Sequence, residues 1–135
     1  MAPLHARGFT LVEVSVVLCV TGVLAAVALP SYRQHGLRMA RLDAVQALTR
    51  LQAAQEQHRA LHGLYASEMA ALRGVTPTSP QQRYAVALQP TGPDSYRATA
   101  SAQGLQVDDR DCRALTLEVA QGFAQAGPTA QCWNR

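Results

Sequence analysis

The sequence predicts an α+β chain, a long N-terminal helix packed against a small antiparallel sheet, and three observations predict it. An apolar run from Phe9 to Leu29 opens a helical rhythm that continues to about residue 62. Past residue 82 the apolar spacing changes from near 3.6 to 2, the change from helix to strand. Cys112 and Cys132 stand near the C-terminus, the pattern of a small exported domain that can be stapled by a disulfide.

Composition narrows the choice before any element is placed. The chain has 135 residues, of which 48% are hydrophobic and only 5% aromatic; the excess is Ala, Leu and Val, which suits a helix-rich chain with a modest core. Without the first 29 residues, about a hundred remain, enough for one globular domain. The net charge of +3 comes from twelve basic residues, all Arg, scattered along the chain. Solubility accounts for that charge, and the scatter gives little support to a nucleic-acid footprint.

Met1 to Gly8 reads as a short leader with Arg7 as its firm charge, followed by the apolar run. That run is long enough to cross a bilayer, yet it contains one acid, Glu13. A carboxylate at the bilayer centre costs roughly 2.5 to 3.5 kcal/mol on insertion scales, so it calls for a partner and a purpose. The order basic, then apolar, also fits a secretory signal peptide, with Ala26-Val27-Ala28 as the cleavage site and a soluble periplasmic binding module as the product. The length of the run, Glu13 near its start and the helical pattern beyond Ala28 argue against that alternative. Cys19, inside the run, reads as a small apolar filler.

Beyond Pro30, residues Leu37, Ala44, Val45, Leu48, Leu51 and Ala54 recur at three- and four-residue steps between Arg, Gln and Asp, so one helix face is apolar and the other wet. Gly63 suits the position after the helix end. The helix would then run from Phe9 to about His62, with bends expected at Pro30 and Gly36. Residues 64 to 82 read as a connecting loop with a helical patch at Glu68 to Leu72. RYAVALQ (83 to 89), SYRATASA (95 to 102) and ALTLEVA (114 to 120) read as three strands, with PTGPD (90 to 94) as the first turn. Too small to be stable alone, that sheet must pack on the apolar stripe of the helix. Cys112 and Cys132 invite pairing in an oxidising compartment, and the bridge would close the 19 residues 113 to 131. The resulting segments are 1 to 8 as leader, 9 to 29 as membrane helix, 30 to 62 as its amphipathic continuation and 63 to 135 as a β head with a disulfide loop.

Several residue groups invite chemistry and are better read plainly. His58 and His62 are spaced like a zinc-binding pair, but position 59 is Arg where a metalloprotease helix has Glu, and no third ligand is evident. They read as solvated helix-face histidines, and no metal or cofactor is expected. Asp108, Asp109 and Asp111 are interleaved with Arg110 and Arg113, which suits a solvated turn leading into the bridge rather than a calcium loop. Arg73, Arg83, Arg97, Arg110, Arg113 and Arg135 read as scattered surface charge, with the three aspartates opposing a basic stripe. Trp133 and Tyr96 read as core or bridge-packing residues. No catalytic residues are expected: neither a Ser-His-Asp nor a paired-carboxylate arrangement stands out.

The motif G-F-T-L-V-E at 8 to 13, the apolar run ending in LAAVALPSY (24 to 32) and the C-terminal Cys pair resemble the type IV pilins and pilin-like proteins. H-G-L-Y up to Tyr65, YAVAL, YRATASA, D-x-x-C at Asp109 to Cys112, TLEVAQG and the closing Cys132-Trp133 resemble the small PilE-type minor pilins in particular. The resemblance covers nearly the whole chain. It implies a prepilin peptidase cutting between Gly8 and Phe9, N-methylation of Phe9, and a mature chain beginning Phe9-Thr10-Leu11-Val12-Glu13. Cleavage creates an ammonium one helical turn from Glu13, and in a low-dielectric setting each charge needs the other. By resemblance, Glu13 meets the Phe9 ammonium of the next subunit and fixes axial register in a filament. The implied protein is a structural subunit, minor rather than major, supporting pilus biogenesis, adhesion, twitching motility or DNA uptake. Its implied partners are the peptidase, other pilin subunits and the inner-membrane assembly machinery; its location is a single pass in the inner membrane, then the cell-surface pilus. A type II secretion pseudopilin is the alternative within the family, disfavoured by the Cys pair.

Overall fold

A computed structural model describes residues 8 to 134; the leader residues Met1 to Arg7, and Arg135 of the expected surface arginines, lie outside the described residues. One helix, α1 (Leu11–His62), is continuous through Pro30 and Gly36. Four strands follow: β1 (Tyr84–Gly92), β2 (Ser95–Ala102), β3 (Ala114–Ala120) and β4 (Phe123–Gly127). The chain divides into two compact units, one ending at His35 and one beginning at Gly36, each with its own physical logic.

From Leu11 onward the first unit is helix, and every residue from Gly8 to Gly36 is exposed. Its helix is long and apolar enough to cross a membrane. Two of its hydroxyls are satisfied within it: Ser15 and Thr21 donate to the carbonyls of Leu11 and Val17, at 2.8 and 2.7 Å. Internal satisfaction is what an apolar surrounding requires of a polar group.

The second unit owns a core. The sheet is an antiparallel meander in the order β1-β2-β3-β4. Alternation along β2 and β3 sends Tyr96, Ala98 and Ala100, and Leu115, Leu117 and Val119, to the same buried face. Their register sets Tyr96 opposite Val119, Ala98 opposite Leu117 and Ala100 opposite Leu115, so small residues on β2 leave room for larger ones on β3. Ala44, Ala47, Leu48 and Leu51 of α1 complete the core with Tyr65, Tyr84 and Trp133. Each fully buried Leu contributes about 1.5 to 3 kcal/mol of transfer free energy. Tyr65 and Tyr96 meet edge-on with centroids 4.9 Å apart, an arrangement their quadrupoles favour. The helix stops at Gly63, whose φ of +79° a side chain would resist and whose N–H reaches the Arg59 carbonyl at 2.8 Å.

Two sequence expectations need correction. The sheet has four strands rather than three. FAQAG shows no apolar alternation because neither face of β4 is buried, with Phe123 to Ala126 exposed. The signal that could have found it is the two-residue Gln121-Gly122 connection, both residues at positive φ (51° and 84°), as tight hairpins require. The acidic segment 108 to 111 is also not uniformly solvated, because Asp109 is buried in an ion pair with Arg41. Asp108 and Asp111 are exposed, as expected for a turn.

Candidate functional site

Two sites matter, one at each end of α1, and each is built from different chemistry. At the N-terminus of α1, Thr10 accepts the Glu13 backbone N–H on its side-chain oxygen at 3.2 Å. Thr10 is therefore the N-cap, and T-x-x-E over 10 to 13 has the spacing of a capping box. The sequence reading of Glu13 missed this local role, though the spacing displays it. A carboxylate in the first turn also complements the helix dipole. Glu13 is exposed, and among the described residues no ion pair reaches its carboxylate. An acid poised in that way is available to a cation that arrives later.

The head is organised by buried polar contacts between segments far apart in sequence. Arg41 grips Asp109 with two hydrogen bonds of 2.7 and 2.8 Å and donates a third to the Gln131 carbonyl. One guanidinium thus fastens both segments that carry the disulfide cysteines. The hydrogen bond to Asp109 is the main reason the Arg41 pKa is raised. Cys112 and Cys132 are bridged, with Cα atoms 5.4 Å apart, and both are buried. Trp133 packs beside them and donates its indole N–H to the Gly127 carbonyl at 2.8 Å. Asp43 accepts from the Ser79 hydroxyl and from the Gln81 backbone, while Gln55 bonds both backbone groups of Ala66. Arg59 donates to Tyr65 and to Asp94 in the β1–β2 turn, each at 3.1 Å. The contact with Tyr65 leads the causes that raise the Arg59 pKa. Burial leads those that raise the Tyr65 pKa.

These contacts fix the loop 63 to 83 against α1 and leave a basic margin along their junction. Arg50 faces Gly74 to Thr78 across a small hollow. Next to the last turns of α1, a hollow of about 220 Å³ is lined by Gln57, His58, His62 and Arg73, with Leu61 and Leu72 among its apolar walls. Among the described residues no carboxylate lines either hollow. Arg50, Arg73 and Arg83 are exposed, whereas Arg41, Arg59 and Arg97 are spent on Asp109, Asp94 and Glu118. Of the six arginines singled out in the sequence, the structure thus assigns Arg97 to an intramolecular pair and puts Arg73 on the basic margin. Tyr96 and Trp133 are buried in the core, as expected.

A membrane-length helix with an acid in its first turn, joined in one chain to a disulfide-closed β head, defines a pilin-type subunit. Comparison with known proteins is specific. Residues 4 to 29 match the prokaryotic N-terminal methylation motif. Residues 30 to 116 match the family described as type IV minor pilin ComP, DNA uptake sequence receptor, and the chain belongs to that family. The chain is also 34% identical over 59 residues to the type IV major pilin protein PilE of Neisseria gonorrhoeae, covering 44% of this chain and 35% of that protein. It is equally similar to the major pilin protein PilE1 of the same organism, over 28% of that protein's length. The matched segment therefore spans about a third of these curated relatives.

Proposed function

We propose that this chain is a minor subunit of a type IV pilus whose head contacts DNA. The observation that carries the reading is the abutment of the two family matches: a processing motif over 4 to 29 runs directly into the minor-pilin family over 30 to 116. Cleavage between Gly8 and Phe9, with N-methylation of Phe9, would free the amino terminus. Residues 9 to 29 would hold the chain in the inner membrane until assembly transfers the helix to a filament core. There Glu13, exposed and without an ion-pair partner among the described residues, meets the Phe9 ammonium of a neighbouring subunit. Partner subunits, the peptidase and the assembly machinery follow from that route.

The margin of Arg50 and Arg73 beside the loop 63 to 83 supports the DNA reading, since it offers cationic and hydrogen-bonding side chains with no lining carboxylate. Two experiments test the two halves. Mass spectrometry of the native protein should find N-methyl-Phe9 at the amino terminus; Leu29 or Ser31 there would make it a secreted soluble module, and either result is decisive for the pilin reading. Gel shifts with the full mature chain should show DNA retardation that weakens with salt, and Arg73→Ala should lower the salt slope by about one. An unretarded duplex at low salt would remove DNA from the proposal and leave the filament role standing. A Glu13→Val chain should insert normally yet fail to enter filaments, and its recovery in sheared filaments at the wild-type level would refute the pairing of Glu13 with a neighbour's Phe9 ammonium.

A further inference from the structure

The head carries a pair of imidazoles that neither the filament role nor the DNA reading requires. His58 and His62 lie one turn apart near the end of α1, with ring centroids 4.3 Å apart and planes inclined at 41°. That i, i+4 spacing is the one by which two helical histidines reach a common ion. Sequence spacing alone does not establish such a site, but the structure adds the orientation of one ring. His58 Nδ1 is 3.0 Å from the Leu64 carbonyl oxygen, which lies just past the helix end. A carbonyl only accepts, so Nδ1 carries the proton and the lone pair of the neutral ring is on Nε2, at the far side. A backbone carbonyl holding the second nitrogen is the usual support of a metal-ligating histidine, because it fixes both tautomer and ring direction.

The surroundings choose the class of ion. Both rings border the hollow of about 220 Å³ between α1 and the following loop, which leaves space for further ligands. The last carbonyls of a helix favour positive charge. Arg59, on the same turn, has its guanidinium engaged by Asp94 and Tyr65. Arg73 lines the hollow and opposes a bare cation, so it favours an anion as a remaining ligand. Among the described residues no group of three or more His, Cys, Asp or Glu converges, which excludes a closed four-ligand structural site there. We propose that His58 and His62 form an open two-nitrogen chelate for a borderline divalent transition metal, Zn2+ or Cu2+. Water or a small anion beside Arg73 completes its coordination. The bound ion ties the helix end, through His58, to the backbone at Leu64. The chelate stands on imidazole geometry and is independent of DNA binding.

Calorimetric titration of Zn2+ into the tag-free mature chain in detergent tests the site. One equivalent should bind, and His58→Gln and His62→Gln should each weaken it by about tenfold or more. Metal-free melting curves of the variants should superimpose on that of the wild type, so that a lost site is distinguished from a lost fold. In parallel, the Cu2+ spin-resonance spectrum should show two coupled nitrogens, falling to one in His62→Gln. Equal Zn2+ affinity in wild type and both histidine variants, or no binding by the wild type up to millimolar Zn2+, would overturn the proposal.

Discussion

Residues 8 to 35 and residues 36 to 134 use the same kinds of apolar side chain for opposite ends. In the first region Leu11, Leu18, Val23 and Leu29 are all more than 60% exposed; in the second, Leu48, Leu51 and Leu115 are at 0%. A Leu gains its transfer free energy only where something other than water receives it. The head supplies that receiver itself, from its own sheet. The N-terminal region awaits one, whether lipid or the helices of neighbouring subunits. The difference teaches that one uninterrupted helix can serve two solvents, and that its two parts should respond to mutation in different assays.

The sharpest way to break the comparison is through charge rather than grease. Arg41→Ala should destabilise the head by about 3 to 5 kcal/mol, because it leaves Asp109 buried and unpaired. Chemical denaturation followed by Trp133 fluorescence would measure it. The double variant Arg41→Met with Asp109→Leu should recover much of that loss, and failure to recover would mean that the Gln131 contact matters more than the ion pair. Next, Leu48→Ala should cost about 2 to 5 kcal/mol in the same assay. Leu18→Ala, an equal truncation in the apolar run, should leave the denaturation midpoint of the head unchanged while impairing filament entry. Reducing the Cys112–Cys132 bridge should cost roughly 3 kcal/mol on the chain-entropy estimate for a loop of this size, visible as a lower melting temperature in reductant.

Smaller effects sharpen the picture inside the head. Burial raises the Tyr96 pKa well above its ordinary value of 10.0. A raised folded pKa means the proton is held more tightly in the folded state. The contribution is therefore complete below the unfolded pKa of about 10 and is lost as pH rises from there toward the folded value. Stability should thus fall in alkali, and Tyr96→Phe should soften that fall while changing stability little at neutral pH, because the hydroxyl finds no hydrogen-bond partner among the described residues. Least of all, Arg97→Ala should cost under about 1 kcal/mol, its pair with Glu118 being roughly half exposed.

Legibility followed the range of the interactions. SYRATASA and ALTLEVA coincide with β2 and β3 because strand alternation is written locally, and Gly63 marked the helix end for the same reason. Strand β4 escaped because its residues are exposed and bear no pattern. Arg41, Asp43 and Gln55 read as members of a wet helix face. Their partners lie in distant segments, Asp109 being 68 residues from Arg41, and no local periodicity can announce such a pairing. The capping role of Thr10 was available in the T-x-x-E spacing and needed only to be read as a helix start.

By itself the sequence determined the long helix, the apolar run with its single acid, the change to strands and the cysteines available for a bridge, since all of these depend on neighbours within a few residues. Only the tertiary structure decided which charges are buried, which arginines remain free along the margin of the loop, and that the His58 ring is held by the Leu64 carbonyl beside His62. Those outcomes depend on which distant groups are brought within hydrogen-bonding reach, and a buried charge survives only where such a partner arrives.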